Sequence, residues 1–111
     1  MTAQQLVQTL GFFWLASTGL LLSAELRVWS YQDFAAPFFG VLLYLVGRNW
    51  TRWRAPILPW RLITGIGGLS LLHAALFAWT LGDRISTVSM SSLLVGGLSS
   101  LGLGLKIRSA N

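Results

Sequence analysis

Long apolar runs separated by short polar breaks set the pattern of this chain. Residues 6–24 carry no charge. A helix over that stretch covers roughly 28 Å, close to the ~30 Å hydrocarbon core of a bilayer. The pattern therefore predicts a first membrane-spanning helix over residues 6–25. Phe12, Phe13 and Trp14 lie inside it, facing lipid or a neighbouring helix, and Ala16, Gly19 and Ser23 form a narrow strip for close helix approach. A polar break from Glu25 to Asp33 follows, in which Trp29 and Tyr31 suit the headgroup level. Ser30 or Asp33 is placed to cap the next helix, and Pro37 falls near its first turn, where a missing N–H costs little.

The second predicted span, residues 30–47, is the shortest in apolar terms, because only 34–47 is uninterrupted. A re-entrant segment is the alternative at that length. Spanning is preferred, since re-entry would put the Arg48–Arg61 cluster on the same side as Arg27. Ala36, Gly40 and Gly47 are its small positions, and Tyr44 is a candidate interface anchor. The third span, residues 62–81, contains one ionisable group, His73, and Gly82 is its stop signal. The fourth, residues 86–105, is rich in Ser and Thr in its first half. Those hydroxyls are expected to bond back to their own helix's carbonyls and so tolerate lipid. The expected fold is an all-α membrane protein: one domain, residues 1–111, of four transmembrane helices in two antiparallel hairpins.

Two small-residue stripes predict the tightest contact. Gly67, Ser70, Ala74, Ala78 and Gly82 mark the third helix, and Ser92, Gly96, Ser100 and Gly104 the fourth. Lipid tails are as apolar as leucine, so membrane helices gain from close backbone contact, which small residues permit. The two stripes are expected to face each other. Gly68, Ala75, Ser89 and Gly97 lie on adjacent faces, with room for a second partner. The first and third helices both end in an acid near an arginine (Glu25 and Arg27; Asp83 and Arg84), with no further identity that amounts to a repeat.

Composition strengthens the membrane reading. Hydrophobic residues make up 54% of the 111 and charged residues only 10%, against roughly 25% charged in soluble domains. A soluble chain this short needs polar residues to cover its large relative surface. The absence of cysteine excludes disulfides, thiolate metal sites and thiol catalysis. The N-terminus lacks the basic region of a signal peptide, so the first span is expected to be retained.

The net charge of +5 reflects topology rather than nucleic-acid binding, because the basic residues lie between and after the apolar runs. Four spans put Arg48, Arg52, Arg54, Arg61, Lys106 and Arg108 on one side, and Arg27 and Arg84 on the other. The positive-inside rule then places both termini in the cytoplasm, in a bacterial inner or thylakoid membrane. The loop carrying Arg48, Trp50, Arg52, Trp53, Arg54, Trp60 and Arg61 is a candidate contact for anionic lipid or a partner, with Pro56 and Pro59 breaking the helix there.

Candidate chemistry is sparse. His73 is the only histidine, and an ionisable group at membrane depth is a functional candidate because burying it is costly. The roles open to it are axial ligand to haem iron or chlorophyll magnesium, or a quinone or proton-relay contact. The plainer reading, and the favoured one, is a neutral imidazole bonded to Ser70, Thr64 or the fourth helix. Glu25, Arg27, Asp33, Asp83 and Arg84 are expected to form a solvated outer charge cluster. No catalytic constellation or phosphate-cradling loop is present, so enzymatic activity is not expected. The expected function is that of an accessory subunit in a respiratory or photosynthetic membrane complex, contacting lipid, pigment or haem. The alternatives are a small homo-oligomeric channel, exporter or holin, and a membrane adaptor working through the arginine loop.

Overall fold

The computed structural model describes residues 2–25, 28–54 and 58–110. Arg27 of the expected charge cluster and Pro56 of the arginine loop lie outside the described residues. Within the described residues, all regular structure is helical. The helices are α1 (Ala3–Ser23), α2 (Ala35–Arg48), α3 (Pro59–Thr80) and α4 (Thr87–Ala110), with 3₁₀ turns at Tyr31–Phe34, Trp50–Arg52 and Gly82–Arg84. Three helices, α1, α3 and α4, are long and apolar enough to cross a membrane. At 14 residues, α2 rises only about 21 Å, and the 3₁₀ turn before it adds about 8 Å.

Local chemistry sets the helix ends. α1 starts at Ala3 because Thr2 and Gln5 form a reciprocal capping box: Gln5 N–H donates to Thr2 Oγ1 (3.2 Å) and Thr2 N–H to Gln5 Oε1 (3.0 Å). Ser30 and Asp33 cap the 3₁₀ turn rather than α2 itself, with Ser30 N–H donating to Asp33 Oδ2 at 2.8 Å. Pro59 opens α3 at its first position, where no N–H is needed. Gly82, at φ 54°, turns the chain after α3 in the left-handed region that favours glycine. α4 runs past the expected residue 105 through Lys106 and Arg108, whose charges suit a helix C-terminus.

The most extensive contacts join α1 to α2 and α3 to α4. In each pair a glycine sits in a hole between residues four apart on the other helix. A Cβ at Gly11 would stand 2.4 Å from Tyr44 N and 2.8 Å from Gly40 O; one at Gly67 would stand 2.5 Å from Leu101 N and 2.7 Å from Gly97 O. Gly47 lies against Gln8, and Gly104 against Thr64. These contacts repeat at constant sequence spacing, α1 matching α3 and α2 matching α4. Burial follows the same register. Val7 and Ile63 are both buried, as are Ala36 and Leu93, and Leu43 and Ser100. The chain thus holds two equivalent helix pairs. Three buried glycine pairs match, Gly11 with Gly67, Gly40 with Gly97 and Gly47 with Gly104, while the buried side chains named here at matched positions differ, which hides the repeat at the level of residue identity.

The stripe expectation needs correction at four positions. Gly67, Ser70 and Ala74 are buried, with Gly67 and Ser70 against α4, but Ala78 is exposed and Gly82 has nothing within 4 Å of an added Cβ. The first turns of α4 bond to the α1–α2 pair instead of following α3 (below). On α4, Ser100 and Gly104 meet α3, with Ser100 Oγ donating to Ile63 O at 2.8 Å. Ser92 and Gly96 turn to α1, where Ser92 bonds Trp14 and a Cβ at Gly96 would overlap the Trp14 indole at 2.1 Å. The reason is geometric: a strict four-residue repeat drifts about 40° per step around a 3.6-residue helix, so three steps swing the stripe through about 120°. On α1 the close approach is at Gly11, not along Ala16, Gly19 and Ser23; Gly19 has open space beside it.

The two ends of the bundle differ in charge. Gln4 Nε2 donates to Gly47 O (3.0 Å), and the Arg108 guanidinium lies 4.9 Å from the Trp60 ring centre. The N-terminus, the end of α2, the start of α3 and the end of α4 therefore meet at one end, with Arg48, Arg52, Arg54, Arg61, Lys106 and Arg108. Glu25, Asp33 and the Gly82–Arg84 turn lie at the other, where Ser86 and Ser89 of the early α4 segment meet the two acids.

Candidate functional site

Two lateral grooves run between the helix pairs, and the repeat relates one to the other. The first, of about 470 Å³, lies between α2 and α3 and is lined by Tyr31, Phe34, Phe38, Phe39, Leu69 and His73, with Ala35 and Leu42. The second, of about 580 Å³, lies between α1 and α4. Every lining residue of the first has its repeat counterpart in the lining of the second. Phe34 corresponds to Ser91, Phe38 to Val95, Phe39 to Gly96, Leu69 to Phe13 and His73 to Ser17. Two grooves of one architecture thus differ in chemistry: one is aromatic with an imidazole, the other rich in hydroxyls.

His73 lies in the central part of α3, about 21 Å from Pro59 along the helix and about 10 Å from Thr80. Its Nδ1 is 2.8 Å from Leu69 O, one turn back on the same helix. Neither Ser70, Thr64 nor α4 is its partner. Ser70 Oγ donates to Leu93 O (2.8 Å), and Thr64 Oγ1 to Trp60 O (2.6 Å). A carbonyl only accepts, so a neutral imidazole must carry its proton on Nδ1 and leave a lone pair on Nε2. No hydrogen-bond partner for Nε2 is found among the described residues. The ring is held edge-on by Phe39 and Phe77, with centroids 5.2 and 5.7 Å away. Phe39 in turn stacks on Trp14 at 6.3 Å and meets Phe38 at 6.1 Å.

The hydroxyl-rich segment does not bond back to its own carbonyls, as expected from sequence, but sews α4 to the other helix pair. Ser86 Oγ donates to Glu25 Oε1 (2.6 Å), and Ser89 Oγ to Asp33 Oδ1 (2.8 Å). Ser92 Oγ accepts from Trp14 Nε1 (3.1 Å) and is also hydrogen-bonded to Thr18 Oγ1. Asp33 is fully buried, so the expected solvated charge cluster divides. Glu25 and Asp33 enter the seam between helix pairs, while Asp83 and Arg84 stay exposed at the α3–α4 turn. There Arg84 Nη2 and Nε cap Thr80 O and Leu81 O at 3.0 and 3.3 Å. Ser30 three residues before Asp33 was the legible part of this arrangement; the partnership with Ser89 joins distant segments and has no local signature.

At the basic end the tryptophans anchor and the arginines stay at the surface. Trp50 and Trp53 pack against the core, and Trp53 Nε1 donates to Val46 O at 3.1 Å. Arg48, Arg52, Arg54 and Arg61 are exposed. Trp60 receives two guanidinium groups, Arg61 at 5.4 Å and Arg108 at 4.9 Å. No group of three His, Cys, Asp or Glu able to hold a metal ion occurs among the described residues. The chain matches no protein-family model, no curated protein and no solved structure.

Proposed function

We propose that this protein is an accessory subunit of a larger membrane complex, respiratory or photosynthetic, and that it acts by contact rather than catalysis. On this reading the 3₁₀ turn and α2 complete a fourth span. The helices form two antiparallel hairpins, and the basic end with both termini faces the cytoplasm of a bacterial inner or thylakoid membrane. The opposite chain direction of the contacts within each pair supports the hairpins, and the charge division between the two ends supports the orientation.

One observation carries the accessory role: the interior is filled while the flanks are open. Leu22, Leu43, Ile63 and Leu93 close the core, and no buried side-chain polar atom among the described residues lacks a partner. Outward, Phe12 (61% exposed), Phe13 (68%) and Trp79 (86%) present large apolar surfaces, Phe13 in the lining of the α1–α4 groove. Lipid accepts such faces, and so does another membrane helix. A filled core favours the accessory reading over a channel, which would need several copies to enclose a pore. The arginine–tryptophan end then serves as the anchor to anionic headgroups.

Native mass spectrometry of the chain, extracted from its own membranes in mild detergent, tests this. The expected result is one copy at fixed stoichiometry with unrelated membrane subunits. A homo-oligomer, or a chain travelling alone, overturns it.

A further inference from the structure

We propose that His73 Nε2, in the groove between α2 and α3, is the axial ligand to the metal of a planar tetrapyrrole seated against Phe34, Phe38 and Phe39. The inference rests on the membrane placement proposed above and adds the ligand class. Three features point to it. First, the Nδ1 hydrogen bond to Leu69 O fixes the tautomer, so Nε2 holds an available electron pair. Metal-ligating histidines are oriented in this way, with the other ring nitrogen donating to a backbone carbonyl. Second, that electron pair has no partner among the described residues, at a depth where no water would supply one. Third, the imidazole is clamped edge-on by Phe39 and Phe77, so its direction is set before any ligand arrives.

The remaining lining selects among ligands. Apart from His73, the only polar side chain is Tyr31, which is 80% exposed at the rim. An oxidised quinone offers only acceptor oxygens, which would oppose the Nε2 lone pair, and its quinol, which could donate to Nε2, would lose that contact on each oxidation. A hydroxylated headgroup would satisfy Nε2 but leave its other oxygens against phenylalanine. A metal at the centre of an apolar macrocycle asks for one electron pair and flat hydrocarbon walls, and the groove supplies both. The open flank lets the macrocycle extend past the roughly 470 Å³ between the helices. The equivalent groove has Ser17 where this one has His73, and the Ser17 hydroxyl lies 3.4 Å from Trp14 O on its own helix. A single histidine therefore predicts one site per chain, with one imidazole ligand to its metal.

The test uses the full chain in lipid nanodiscs. It is titrated separately with ferric protoporphyrin IX and zinc protoporphyrin, read by the Soret band and by magnetic circular dichroism. Saturation at one equivalent per chain is expected for at least one of the two. Iron binding would indicate a haem, and zinc binding alone a closed-shell pigment metal. His73→Ala should weaken binding by at least about tenfold, and added imidazole should restore the band. His73→Gln, closer in size, should show the same loss with its helical circular dichroism intact, and Ser17→Ala should bind as wild type. Wild-type affinity in both His73 variants, several equivalents of equal affinity, or no saturable change with either metal overturns the assignment. A chain that stays dissolved without lipid or detergent would instead overturn the membrane reading beneath it.

Discussion

Glycine in this chain does different work at positions that look alike in sequence. Gly96 and Gly19 both sit inside apolar helices, yet an added Cβ at Gly96 lands 2.1 Å from the Trp14 indole and one at Gly19 meets nothing. Trp14 cannot yield easily. It is 3% exposed, stacked on Phe39 and bonded to Ser92. Gly96→Ala should therefore destabilise the protein by about 1–3 kcal/mol through overpacking. Gly19→Ala should leave stability unchanged or raise it by about 0.5–1 kcal/mol, because alanine loses less backbone entropy in a helix. Thermal unfolding in detergent, followed by tryptophan fluorescence, measures both. Equal midpoints for the two variants would remove Trp14 from its place over Gly96. The same contrast marks where sequence reading stops at this scale. That small residues matter on α4 was legible from their spacing, but which helix each one meets depends on rotation accumulated along the stripe.

At the scale of elements, the long helices were legible because length and apolarity alone specify them. The Arg48–Arg61 break was legible because its prolines and arginines cannot continue an apolar helix. The conversion of residues 31–34 to a 3₁₀ turn was not, since Ser30 and Asp33 read equally well as caps of the α-helix that follows. The α4 hydroxyls were misread for a related reason. A serine in an apolar helix has its own carbonyls in reach, and only the neighbouring helix decides that Ser89 bonds Asp33 and Ser92 bonds Trp14 instead. The helix-pair crossings, by contrast, give matched expectations. Gly11 and Gly67 each press on the backbone of the opposing helix, and backbone is less able to yield than the end of a side chain. Gly11→Ala and Gly67→Ala should each lower stability by about 1–3 kcal/mol, and by similar amounts. Denaturation of the two variants side by side in one detergent checks the pair. A large loss in one and none in the other would show that the crossings are not equivalent.

The whole molecule is organised as two helix pairs that meet along α1–α4 and α2–α3, and the seam differs in kind from the crossings within each pair. Within a pair, glycine lets backbones touch and the side-chain bonds of Gln4, Ser70 and Ser100 go to backbone carbonyls; across the seam, side chains bond side chains. Glu25–Ser86, Asp33–Ser89 and Trp14–Ser92 all join residues from opposite pairs, and His73 meets Phe39 across the same division. Interhelical hydrogen bonds in membranes average about 0.6 kcal/mol each, so no single one holds the halves together. Taken together with the stacked Trp14 and Phe39 over Gly96, they specify one register of one pair on the other. A seam that specifies the register predicts that the two pairs associate without a covalent link between them. A chain cut between Arg54 and Leu58 and expressed as two separate fragments should reassemble in the membrane. Each fragment keeps its own glycine crossing, and the seam keeps all of the contacts named here. Co-purification of the two fragments through a tag on one checks this. Ser89→Ala combined with Ser92→Ala should weaken the association of the cut protein while leaving the uncut chain folded. Fragments that each insert but never associate would mean that the covalent link, and not the polar seam, places the two pairs against each other.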